Sequence, residues 1–186
     1  MTAAEAELTE IDSKFGDADH GLTMTKIAGA ISAAVDDAEG GIQTMLDDAA
    51  MAVMSLNGGS AVPLWNTWLD GMQEDAPDED EIDVAGIQAI FAKAFEEIDD
   101  MSGAKVGDKT MMDALIPAVQ AAQQTQEDCK AILESAAQAA QEGAKASEQF
   151  VSKFGRARSY KEQTIGTPDA GAVSTALFFR GLAQGI

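Results

Sequence analysis

Cysteine and histidine occur once each in this sequence, as Cys129 and His20. A lone cysteine excludes a disulfide within the chain and fits a reducing, cytoplasmic setting. Its expected role, inside a helical pattern, is that of a small core residue. One histidine and no cysteine cluster exclude a His- or Cys-rich zinc centre. Aromatics make up only 5% of residues, and strand-like alternation is essentially absent, which favours helices packed on small side chains. No apolar run approaches the roughly 20 residues that span a bilayer. The acidic N-terminus lacks the apolar segment of a signal peptide. Basic residues are also scarce: 12 Lys and Arg stand against 32 Asp and Glu, a net charge of −20. Such a field argues against nucleic acid or an anionic membrane as partner. It also means that a phosphate ligand must be neutralised locally by metal ions or placed cations. Lys109 and Arg156 fall in conspicuous loops and are the basic residues to watch; the alternative for Lys109 is a helix cap or a surface ion pair.

What is present is helical periodicity over most of the length. The 186 residues, 46% of them hydrophobic, suit one domain spanning 1–186. Apolar residues recur at helical spacing in 22–38 (Leu22, Ile27, Ile31, Val35), 43–56 (Met45 to Met54), 83–98, 110–124, 127–142 and Ala172–Leu182. These stripes are read as core. The acidic stretch Glu74–Glu81 is read as a solvated linker between two helices. The expected fold class is all-α, an up-and-down barrel or bundle of about seven to eight antiparallel amphipathic helices.

Chemistry concentrates in the loops. Asp12, Asp17 and Asp19 place three carboxylates within eight residues, beside Gly16 and Gly21, just ahead of an apolar-periodic stretch. Carboxylates so close repel one another unless a cation sits between them, and hard divalent ions such as Mg²⁺ take oxygen ligands of this kind. A helix that starts beside them offers backbone N–H groups to an anion. The segment reads either as a Mg²⁺-phosphate site or as an acidic turn with an N-cap. Three further loops combine Gly with polar residues: Asn57–Leu64, with paired Gly58-Gly59 before Ser60; Gly107–Met111; and the long stretch from Gly155 to Gly171. Ser60 is placed to cap a helix or to donate to an oxygen. The P-loop and Rossmann glycine signatures are both absent.

Taken in order, these motifs resemble the nucleotide-binding L subunit of dihydroxyacetone kinase (the DhaL family). The residues are Gly16-Asp17-Ala18-Asp19-His20-Gly21, Gly58-Gly59, Pro63-Leu64, Gly107-Asp108-Lys109-Thr110-Met111, Gly155-Arg156-Ala157 and Ile165-Gly166 with Asp169-Ala170-Gly171-Ala172. The resemblance runs from about Leu8 to the C-terminus. It implies a barrel of antiparallel helices holding ADP or ATP and two Mg²⁺ ions at one rim. It implies Asp12, Asp17 and Asp19 as metal ligands. His20, Gly21, Leu22, Thr23, Ser60 and Ala61 would lie at the phosphates. Ser102 and Met111 would line the base or ribose pocket, Asp169, Ala170 and Gly171 would close over the nucleoside, and Arg156 would neutralise phosphate charge in catalysis. It implies, further, a phosphotransferase that works only with a separate K subunit holding dihydroxyacetone or a related short ketose, with a phosphotransferase-system phosphocarrier (M subunit) or free ATP as donor.

The sequence departs from the family pattern in four places. Ala61 and Val62 stand where Ser and Gly are usual. Thr167 and Ala170 replace the usual His and Pro, and Gln163 replaces a common Arg. Only eleven residues precede Asp12, so either the barrel lacks the usual helix before the first aspartate or the start of the chain is assigned too late. Two other readings remain at this level: a nucleotide-loaded regulatory module that binds a protein and transfers nothing, and a plain bundle whose acidic loops are only solvated.

Overall fold

The computed structural model describes residues Met1–Ile186. Eight α-helices follow one another: α1 (Glu5–Ser13), α2 (His20–Asp37), α3 (Ile42–Met54), α4 (Ala61–Glu74), α5 (Val84–Ser102), α6 (Met112–Gln124), α7 (Cys129–Ala146) and α8 (Ala170–Gln184). Short 3₁₀ segments cover Thr2–Ala4, Ser147–Gln149 and Arg156–Thr164. There are no strands. Each helix packs on the next, and α8 returns to α1 and α2, which closes an up-and-down ring. Periodicity had marked each helix from α2 to α8, apart from α4, within a few residues.

The ring is filled. Trp68 of α4, Phe91 of α5 and Phe179 of α8 are fully buried, with ring centroids 5.6 to 6.1 Å apart. Small residues let the helices close around them. A Cβ at Gly143 of α7 would lie 2.0 Å from the Asp113 carbonyl oxygen of α6, so these two backbones touch with no room for a methyl group.

Asp83, Asp128 and Asp169 cap α5, α7 and α8 by accepting the N–H of the residue three positions on. The acidic stretch expected to be a solvated linker does more than connect. The Pro77 and Glu79 carbonyls accept the N–H groups of Gln43 and Ile42 at 2.9 Å each. They satisfy the start of α3, where Gly41 has no side chain to do so.

Three residues expected in the core are exposed: Leu22 (49%), Val35 (41%) and Met54 (55%). The inward face of α2 is set by Thr23, Met24 and Ile27. At about 100° per residue, Leu22 lies well off that face. Met54 follows the fully buried Val53 and is turned away in the same manner. A helix does precede the acidic motif. It is short and buries only Leu8, too little for a periodic signal.

Candidate functional site

One end of the ring opens into a cavity of about 720 Å³. Its wall comes from the α1–α2 turn, the start of α4, the end of α5 with the loop to Met111, and the two ends of the 155–171 stretch.

Asp12 was expected in a loop but sits in the last turn of α1. Its Oδ2 accepts the backbone N–H groups of Asp19 (3.1 Å) and His20 (3.4 Å) at the start of α2. This ties one carboxylate to the positive end of the next helix. The two glycines serve space rather than dihedral freedom. A Cβ at Gly16 would lie 1.9 Å from Asp12 Oδ1, and one at Gly21 would lie 2.1 Å from the Glu5 carbonyl oxygen. The left-handed turn falls instead on Ala18, at φ 60°.

The result is that one oxygen each from Asp12, Asp17 and Asp19 lie within 4.8 Å of one another. Desolvation, then repulsion by Asp17 and Asp12, holds the Asp19 carboxyl above the usual range. The Arg156 guanidinium stands 2.7 Å from Asp17 Oδ2. Three oxygen donors open to solvent fit a hard divalent cation; Mg–O bonds of about 2.1 Å ask for little further closure and leave room for water or phosphate oxygens.

Beyond the acids, His20 Nε2 lies 3.0 Å from Ser174 Oγ of α8. Burial pulls its pKa down, so the ring is neutral near pH 7. Thr23 backs the Gly58-Gly59 turn and is 6% exposed. Ser60 makes no capping bond, so its hydroxyl is free at the cavity wall beside Ala61. Val62 points into the core, so its β-branched side chain does not narrow the cavity.

Met111, Ser102, Arg156, Asp169, Ala170 and Gly171 all reach the cavity wall. Gly21 and Leu22 do not line it: the first lies under α1, and the second faces outward.

Lys109 proves to be a buried strut. It is 5% exposed with φ 60°, and its Nζ donates to the Ser147 carbonyl. Burial lowers its pKa. Asp108 latches the same loop by accepting from Lys153 Nζ (2.6 Å) and the Lys105 N–H (2.8 Å), which holds its carboxyl below the usual range, the Lys153 bond foremost. Buried Asp113 accepts from the N–H groups of Gly107 (2.6 Å) and Thr110 (2.7 Å). Asp169 caps α8 through the Ala172 N–H (2.8 Å), and burial pushes its carboxyl up to about 7.

Sequence reasoning missed Ser147 and Asp113. Ser147 is fully buried; its hydroxyl accepts the Asp169 N–H at 2.9 Å while its carbonyl takes Lys109. A serine at a helix end and an aspartate in a helix's first turn carry no signal of their own.

The geometry agrees with the sequence motifs, and comparison with known families decides the assignment: the DAK2 domain matches residues 14–184. The chain belongs to the DAK2 domain family. Among its DAK2 relatives, the PEP-dependent dihydroxyacetone kinase 1, ADP-binding subunit DhaL, of Listeria innocua is 31% identical, over 95% of this chain and 85% of that one. The D-erythrulose kinase of Mycolicibacterium smegmatis is 36% identical over 99% of this chain. The chain spans about a third of that relative's length, 33%. The dihydroxyacetone kinase of C. freundii, solved in complex with AMP-PNP and Mg²⁺, superposes with a TM-score of 0.70 at 23% identity, covering 100% of this chain and 31% of that one. This last likeness establishes the DAK2 fold as a ring of helices.

Proposed function

We propose that the whole chain, 1–186, forms one nucleotide-binding unit of a short-ketose kinase, holding ADP or ATP with Mg²⁺ at the rim cavity. The observation that carries this reading is the convergence of Asp12, Asp17 and Asp19 within 4.8 Å, beside the start of α2 and facing Arg156. A cavity of about 720 Å³ is of nucleotide size. Asp12, Asp17 and Asp19 would hold the metal, two ions by the family pattern, and it would supply positive charge to offset the negative charge that develops in phosphoryl transfer. Ser60, Ala61 and the start of α2 would border the phosphates, Met111 and Ser102 the base or ribose, and Asp169 to Gly171 the far wall. Arg156 would supply the mobile positive charge. The names of the relatives, a dihydroxyacetone kinase subunit and an erythrulose kinase, support dihydroxyacetone or erythrulose as acceptor. A K-type partner would present it, in the cytoplasm, with free ATP or an M-type phosphocarrier renewing the phosphoryl group.

Calorimetric titration of the chain with ADP in the presence of Mg²⁺ tests the first half. Binding is expected for the wild type and is lost in Asp17→Asn and Asp19→Asn; equal binding in all three would refute the metal assignment. Adding a K subunit, phosphoryl donor and dihydroxyacetone or erythrulose tests the second half. Binding without turnover in every such mixture would leave a regulatory module instead.

A further inference from the structure

Arg156 and the segment that carries it are placed for a second task. Residues Arg156–Thr164 form a strap of 3₁₀ turns broken at Lys161 (φ 51°), between two glycines in the left-handed region, Gly155 (φ 60°) and Gly166 (φ 89°). The strap's base is fixed. Fully buried Thr164 accepts the Ser152 N–H at 3.0 Å, and the Gly166 N–H donates to the Glu148 carbonyl at 2.7 Å. Its body is polar and exposed, and so gains little from packing. Two contacts tie this body to the α1–α2 turn: the Arg156–Asp17 ion pair at 2.7 Å, and Tyr160 against Phe15, ring centroids 5.2 Å apart. Phe15, Asp17 and Arg156 all line the cavity, so the first turn of the strap meets the α1–α2 turn at the cavity wall.

We infer that Arg156 is the resident counter-cation of the acidic site and the latch of the strap, so that a divalent ion must displace its guanidinium from Asp17, and in doing so loosens the strap, which then keeps only the Tyr160–Phe15 contact with the α1–α2 turn. This rests on the metal reading given above. Asp17 is one of three acids that repel one another, and a guanidinium relieves that repulsion as a metal does, though with one charge and a longer contact. The latch is weak by construction, because both partners are exposed, 71% and 37%. Exposed ion pairs are worth about 0.2–1 kcal/mol, so metal binding should be held back about 1.5- to 5-fold. Arg156 therefore becomes available to phosphate at the moment metal arrives.

The test is a Mn²⁺ titration of the nucleotide-free chain at fixed ionic strength, with free Mn²⁺ followed by electron paramagnetic resonance. Arg156→Gln is expected to bind Mn²⁺ about 2- to 5-fold more tightly than wild type. Arg158→Gln, which removes the same charge from the same strap without touching Asp17, should stay within about 1.5-fold, because long-range exposed charge is screened. The strap is read separately. Mg²⁺ should speed tryptic cleavage after Arg158 and Lys161 in the wild type, towards the faster rate expected of Arg156→Gln without metal. Equal Mn²⁺ affinity in wild type and Arg156→Gln, or an equal gain in both variants, overturns the latch and leaves the metal site standing. Cleavage unmoved by Mg²⁺ also overturns it. No Mn²⁺ binding by any variant at millimolar metal overturns the latch and the metal reading together. Arg156 is too exposed for its replacement to disturb the core.

Discussion

At the scale of single residues, the site depends on side chains held in places they would not choose alone. Gly16 is exposed, yet its missing Cβ is what lets Asp12 sit where it does, since that atom would fall 1.9 Å from Asp12 Oδ1. The nearest obstacle is the movable carboxylate, with the Asp12 carbonyl oxygen next at 2.9 Å, so Gly16→Ala should displace the carboxylate and shift the turn slightly. We expect Mn²⁺ affinity to fall at least tenfold, about 1.4 kcal/mol, with only a small drop in melting temperature; a metal titration beside a thermal melt checks both. Asp169 carries a different strain. Burial raises its carboxyl from about 3.9 in the unfolded chain to about 7 in the fold. A carboxyl raised on folding contributes stability that is whole below the unfolded value and is lost as pH rises through the folded one. The ligand-free protein should therefore lose stability between pH 4 and 7 at this residue, on the order of 4 kcal/mol for a shift of about three units. Asp169→Asn keeps a capping oxygen and removes the titration. Urea midpoints should match the wild type at pH 4 and exceed it at pH 8; parallel curves would show that the group is not desolvated. The three acids were legible in the sequence because like charges at short spacing demand an explanation. Lys109 was conspicuous for the right reason, scarcity, but its capping of Ser147 needed the fold, and Ser147 itself was invisible.

At the scale of elements, legibility followed the amount of apolar surface each helix buries. α5 buries Ile87, Ile90, Phe91, Ala94 and Ile98 on one stripe, and its period is plain in the sequence. α1 buries Leu8 alone and was missed; Asp12 then passed for a loop residue although α1 presents it. The strap was read only as irregular, because its nine residues hold their shape through a few bonds at the base. Helix contacts made by glycine are hidden in the same way, since a residue with no side chain adds nothing to a hydrophobic pattern. The α6–α7 contact supplies the test. In Gly143→Ala the new Cβ meets the rigid Asp113 carbonyl at 2.0 Å, and helix propensity gained from alanine, about 1 kcal/mol, cannot offset the displacement of two packed helices. A net loss of about 2–3 kcal/mol is expected, seen as a lower urea midpoint with an unchanged m-value. Because Asp113 also holds Gly107 and Thr110, nucleotide affinity should fall with stability in this variant.

At the scale of the whole molecule, the charge of −20 acts against the nucleotide proposed for the rim. The two effects have different ranges. The proposed metal ligands and Arg156 act over a few ångströms, within one Debye length at any ordinary ionic strength, and salt weakens them little. The remaining acids are spread over the surface, and their repulsion of an incoming ADP is long-ranged and easily screened, the Debye length falling from about 30 Å at 0.01 M salt to about 8 Å at 0.15 M. Raising NaCl over that interval, at fixed free Mg²⁺, should therefore speed ADP association, by about two- to tenfold, while dissociation changes little. Most charged pockets that attract their ligand show the opposite slope. Stopped-flow association rates across the salt series decide it: a rate that falls with salt would mean that the local cations, rather than the global field, govern approach to the rim, and that the strongly acidic surface is electrically remote from the site.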